Sequence, residues 1–200
     1  MIHHLIVPGV GGSDEQHWQS WLQRQLPNSS RVEQDWQQPI LQEWIEQWVA
    51  HVEQIQEPIQ VIAHSFGCLT SLAALVQYPA LQEKINNLIL VAPANPARFS
   101  STGFAQAEQA SYLQYFEQLR LELSSLMLIS ENDPWLAFDD AQRLAQSWQL
   151  QPVNLGLAGH INTASGYGPF PEIFDYLMPE KKPQHISAAD ERKYLFKFAI

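Results

Sequence analysis

Cysteine is nearly absent. Cys68 is the only one in 200 residues, which excludes a disulfide framework and any zinc site built on cysteines. Basic residues are scarce as well: 11 Lys and Arg stand against 21 Asp and Glu, for a net charge of −10. That leaves no cationic stripe to neutralise phosphates, so neither nucleic acid nor an anionic membrane surface is an expected partner. Nor does any apolar run approach the roughly 20 residues that a membrane span requires. The opening Met1-Ile2-His3-His4-Leu5-Ile6-Val7 carries no cationic leader and is interrupted at Pro8-Gly9; it reads as a strand and not as a signal peptide. Together these absences make a reducing, cytoplasmic setting the expectation.

What is present is the balance of a chain that buries a core, 46% hydrophobic with 16% charged. Short β-rich runs, Ile2–Val7, Ile59–Ala63, Leu88–Val91, Leu126–Ile129 and a less regular Val153–Leu157, alternate with helical patterns. Arg31–Trp36 adds a weak strand. This alternation predicts an α/β fold, a mostly parallel sheet with helices on both faces and little or no cap. The clearest helix runs through Leu41, Trp44, Ile45, Trp48, Val49, Val52 and Ile55, spaced at three and four residues. An earlier helix is expected to be capped by Ser13 with Gln16 three residues on, and to stop at Pro27. Shorter helical patterns follow the Ile59 strand (Leu69, Leu72, Ala73, Val76), precede the Leu126 strand (Tyr112 to Leu123) and span Ala137 to Trp148. The breaker-rich stretch Pro93–Gly103 reads as an irregular loop able to form part of a small lid. Residues 1–180 are read as one domain, and 181–200 as a C-terminal tail of unknown role.

The chemistry starts at Val61-Ile62-Ala63-His64-Ser65-Phe66-Gly67, a strand running through a tight turn into a helix, which is the setting of a nucleophile elbow. The usual pattern is G-x-S-x-G, and here Ala63 stands for the first glycine. A serine nucleophile needs a base whose tautomer is fixed by a third group. Asp133, in Ser130-Glu131-Asn132-Asp133-Pro134, and His160, in Ala158-Gly159-His160, each follow a strand. The chain order Ser65, Asp133, His160 is that of α/β hydrolases. Oxyanion donors are expected from the N–H groups of Phe66 and of Val10 in the glycine-rich Pro8-Gly9-Val10-Gly11-Gly12 loop, which matches neither phosphate-binding glycine motif. Trp135 and Trp18 are candidates for the substrate pocket, although Trp18 also falls on a core-facing helical stripe. His17 is a further pocket candidate. His3 and His4 read as packing or edge residues, His64 as support for the turn, and Cys68 as a small buried residue.

Taken together, these motifs resemble the small serine hydrolase family typified by retinoblastoma-binding protein nine and its bacterial relatives. The match rests on Pro8-Gly9-Val10-Gly11-Gly12, Trp18, His64-Ser65-Phe66-Gly67, Ser130-Glu131-Asn132-Asp133-Pro134 and Gly159-His160, over roughly residues 1–180. The resemblance implies a Ser65, Asp133, His160 triad, no metal or other cofactor, and esterase or peptidase-like hydrolysis of a small ester or amide substrate through an acyl-serine. The alternative, grounded on Ala63, is a hydrolase-fold binding or interaction module with a vestigial site. No L-x-C-x-E sequence surrounds Cys68, so binding of the retinoblastoma protein is not carried over.

Overall fold

Each buried strand that the hydropathy pattern predicts hands its chain to a helix and pairs with the next strand in parallel. The computed structural model describes residues 1–106 and 110–177. In chain order the elements are β1 (His3–Val7), α1 (Trp18–Gln25), β2 (Ser29–Arg31), α2 (Leu41–Gln54), β3 (Ile59–Ser65), α3 (Phe66–Gln77) and β4 (Ile85–Pro93), followed by β5 (Phe99–Ser100), β6 (Gly103–Phe104), α4 (Leu113–Gln118), β7 (Ser125–Ile129), α5 (Phe138–Ser147) and β8 (Gln151–Asn154). The main sheet has the order β2-β1-β3-β4-β7-β8, and every pairing in it is parallel. The architecture is therefore a compact α/β fold on a six-stranded sheet. No helix among the described residues is long and apolar enough to cross a membrane.

The central strands are apolar without alternation because both faces are covered. Leu5, Val7, Val61, Ala63, Leu88, Leu90, Met127 and Ile129 pack in one cluster with the buried faces of α2, α3 and α5. Their alternate neighbours Ile6, Ile62, Ile89 and Leu128 are buried too, as are Trp18 and Leu22 of α1. Lys84 closes the end of α2, its ammonium donating to the carbonyls of Val52, Glu53 and Ile55.

Several boundaries differ from the sequence reading. α1 begins at Trp18, with His17 as its cap, instead of following a Ser13 capping box; Ser13 Oγ instead donates to Gln19 Oε1 at 2.7 Å. The weak strand lies at Ser29–Arg31, ahead of most of the Arg31–Trp36 run, and pairs with only three residues of β1. The last strand is Gln151–Asn154, ending before Leu157. The Tyr112 to Leu123 pattern yields only the six residues of α4. In place of an irregular loop, Pro93–Gly103 and its continuation form a 3-10 turn at Pro96–Arg98 and an antiparallel β5–β6 ribbon. These elements belong to a compact unit of residues 1–170. A second unit starts at Pro171, and its described residues form α6 (Ile173–Leu177); the expected tail at 181–200 lies outside the described residues.

Candidate active site

Ser65 ends β3 and caps α3 with φ 54° and ψ −123°, a region that L-residues avoid and that costs on the order of 1–3 kcal/mol when held. Two glycines make the turn possible. A Cβ on Gly9 would stand 2.6 Å from Ser65 Cβ, and one on Gly67 would stand 2.5 Å from the carbonyl oxygens of Val7 and Pro8. Ala63 is no obstacle to the elbow, since its methyl is fully buried in the core cluster. The close approaches fall on Gly9 and Gly67.

Two other loops converge on Ser65 from the C-terminal ends of β7 and β8. His160 Nε2 lies 3.0 Å from Ser65 Oγ, and His160 Nδ1 lies 2.8 Å from Asp133 Oδ2. The side chains of His160 and Asp133 are only 7% and 4% exposed, so the pair operates away from bulk water. Asp133 Oδ1 accepts from the Trp135 N–H at 2.8 Å, which fixes the carboxylate and leaves Oδ2 for the imidazole.

The loop carrying His160 is held at successive backbone groups. Ala158 N–H donates to Ser130 Oγ at 3.0 Å and Gly159 N–H to Asn132 Oδ1 at 2.7 Å, both from the Asp133 loop. The N–H of His160 reaches Ser165 Oγ at 3.0 Å. Its carbonyl accepts from His64 Nε2–H at 2.9 Å, and the next carbonyl, Ile161, accepts from the indole Nε1–H of Trp18 at 2.8 Å. Ile161 itself sits at φ 48°, unfavourable for a β-branched residue and retained here by these surrounding bonds.

On the first loop, Gly11 N–H already donates to Trp36 O at 2.8 Å and Gly12 N–H to Gly9 O at 3.0 Å. Val10 N–H meets no protein acceptor among the described residues, and Phe66 N–H, at the first position of α3, has no intrahelical one. These are the two donors that the sequence singles out.

A line of histidines backs the site. The His17 and His64 rings are 5.0 Å apart, and the His64 and His160 rings 4.9 Å apart. His17 Nδ1 accepts the Gln19 N–H at 3.1 Å to cap α1, so its neutral ring carries the proton on Nε2. Burial pushes the His17 pKa down to about 4, and burial, followed by the neighbouring His160 and His17, holds His64 well below the ordinary histidine range. The unfolded chain therefore takes up a proton on His17 near pH 6.5 that the folded chain refuses until about pH 4. Stability is greatest above that window and is lost as pH falls through it, by on the order of 2–3 kcal/mol for His17 alone. His17→Asn keeps a cap acceptor for Gln19 and removes the titration; denaturant midpoints measured from pH 7 to pH 4 should fall less steeply in the variant. Equal slopes would show that His17 is not buried in the neutral form.

These groups open on a cavity of about 510 Å³ lined by Val10, Ser65, His160, His17, Asp14 and Trp135, with Arg98, Phe99 and Phe104 from the β5–β6 region. Trp135 thus stands where the sequence places it. Trp18 does not line this cavity: it is fully buried, and its indole is committed to Ile161. Its neighbour His17 takes the pocket position. Cys68 is buried against Val91 O, and burial raises its thiol pKa well above normal. His3 bonds to Asn28 and Ser30 on the side of the edge strand β2, and His4 to Gln60 of the inner strand β3.

A parallel sheet with a strained serine elbow, and with an acid and a histidine supplied after later strands, defines the α/β-hydrolase class. Comparison with known proteins narrows this: the chain matches the serine hydrolase family over residues 4–179 and belongs to it. That is also the family of retinoblastoma-binding protein nine. The chain is similar to a YdeN-like hydrolase structure from Pectobacterium atrosepticum SCRI1043, with 34% identity, a TM-score of 0.75, and coverage of 88% of this chain and 89% of that one. It is 22% identical to the hydrolase YdeN of Bacillus subtilis strain 168 over 187 residues, which is 86% of this chain and 92% of that protein. The carboxylesterase CesB of Bacillus subtilis shares the fold, at 10% identity and a TM-score of 0.61 over 88% of this chain and 81% of that one.

Proposed function

We propose that the chain hydrolyses a small carboxylic ester or activated amide through an acyl-Ser65 intermediate. The observation that carries this reading is the unbroken line from Ser65 Oγ through His160 to Asp133, at 3.0 and 2.8 Å, with Ser65 and His160 on the wall of the cavity. Ser65 Oγ bonds to the substrate carbonyl carbon as its proton passes to His160 Nε2. The carbonyl oxygen becomes an oxyanion, received by the N–H groups of Val10 and Phe66. His160 then gives the proton to the leaving alcohol or amine as the bond to it breaks. Water next attacks the acyl carbon and loses its proton to His160, and Ser65 departs, recovering a proton from the same nitrogen. Asp133 accepts from Nδ1–H, holding the tautomer, and stabilises the imidazolium. No step requires a metal or organic cofactor.

A fluorophosphonate probe distinguishes this reading from a binding module. Wild-type protein is expected to be labelled at Ser65, and Ser65→Ala to remain unlabelled. Labelling that persists in the variant, or a folded wild type that never labels, would refute the assignment.

A further inference from the structure

We propose that Arg98, held against Trp135, is a subsite for a carboxylate carried by the substrate, so that the preferred substrates are anionic esters or amides; this rests on the hydrolase reading above. The backbone of Arg98 is pinned. Asn95 Oδ1 caps its turn by accepting from Ala97 N–H at 2.9 Å, Arg98 N–H donates to Asn95 O at 3.0 Å, and Arg98 O accepts from Ala105 N–H at 2.7 Å. Its guanidinium carbon lies 4.2 Å from the centre of the Trp135 ring, a stacked cation–π arrangement that leaves the in-plane N–H donors available. Trp135 belongs to the Asp133 loop, and its ring is 6.5 Å from that of His160. Both Arg98 and Trp135 line the cavity that holds Ser65.

The other described arginines are all engaged through their guanidinium groups. Arg24 donates to Glu15 O, and Arg31 to Gln23 Oε1, Ser13 O and Ser20 Oγ. Arg120 donates to the carbonyls of Glu117 and Leu119, and Arg143 pairs with Asp140. Arg98 alone has no hydrogen-bond acceptor and no carboxylate for its guanidinium among the described residues, in a chain where acids outnumber bases 21 to 11. The cavity's acidic lining residue, Asp14, already accepts the N–H groups of Gln16 and His17, both at 2.9 Å. A planar, stacked guanidinium with free donors matches a carboxylate in two-pronged geometry, and the apolar Phe99 and Phe104 beside it suit a short hydrocarbon chain between the anion and the scissile bond.

The test compares esters that differ by one carboxylate. Para-nitrophenyl hydrogen adipate is set against para-nitrophenyl hexanoate for an anion on the acyl side, and para-carboxyphenyl acetate against phenyl acetate for one on the leaving group. In at least one pair, the anionic-to-neutral ratio of kcat/KM is expected to fall about tenfold or more in Arg98→Gln, the range for loss of a hydrogen bond to a charged group. The same ratio should fall in wild type as salt is added. Ratios within twofold of wild type in both pairs would overturn the proposal. A binding measurement keeps the result separate from catalysis: monomethyl adipate is titrated calorimetrically into Ser65→Ala and into Ser65→Ala with Arg98→Gln. If no ester is turned over, the hydrolase reading fails and this titration decides, Arg98-dependent binding supporting the anion subsite and equal or absent binding overturning it.

Discussion

Ser65→Ala and His160→Ala are each expected to lower kcat by on the order of 10⁶, with the double variant no slower than either single one. The two atoms serve one event. In the proposed mechanism Ser65 Oγ sheds its proton as it attacks and His160 Nε2, 3.0 Å away, takes it; removing either then ends the same route. What then remains is the contribution of the Val10 and Phe66 N–H groups and of substrate placement in the cavity, a residual of about 10³–10⁴ over water. Steady-state hydrolysis of an activated ester measures this, once active-site titration has excluded traces of wild type and circular dichroism has shown an unchanged fold. If the losses multiplied in the double variant, the two residues would be acting in separate steps.

Asp133→Asn is the second large effect, expected at about 10⁴ in kcat with KM nearly unchanged. The substitution retains size and leaves an oxygen for the Trp135 N–H. An amide NH₂ facing His160 Nδ1, however, would donate where the carboxylate accepts. The imidazole would then carry its proton on Nε2 and point an N–H at Ser65, the wrong tautomer for a base. Burial sharpens the effect, because a side chain only 4% exposed borrows little stabilisation of the imidazolium from water. A folded Asp133→Asn variant within tenfold of wild type would remove Asp133 from the mechanism.

Ser65 and Asp133 are legible in the sequence because each follows an apolar run that forms a buried strand, and His160 more weakly because β8 is largely exposed; parallel strands deliver their C-terminal ends to one edge of the sheet. Helix α2 is legible for a similar reason, its tryptophans and aliphatics repeating on one face. The start of α1 is not. Its position is set by Gln19, which is fully buried and donates to Val7 O and Ile62 O, a tertiary bond with no local signature. β2 is polar Ser-Ser-Arg and is a strand only because β1 offers it a partner. The Arg98–Trp135 stack joins two loops that lie on different elements, and neither residue marks the other in the sequence. Trp18 and His64 show the same limit: the sequence reads one as a core-facing pocket candidate and the other as support for the turn, whereas the N–H groups that hold the His160 loop become apparent only in three dimensions.

The two bonds that restrain the carbonyls of His160 and Ile161 bridge 96 and 143 residues of chain. Trp18 leaves the ribosome early and Ile161 late, so the imidazole cannot take its working orientation while the nascent chain is still short of that loop, however far the first strands have paired. Contacts of such sequence separation close late because loop entropy must be overcome before they reward it. Hydrolysis should accordingly reappear with the last phase of refolding, behind the recovery of helical signal, making turnover a more stringent reporter of chain closure than secondary structure.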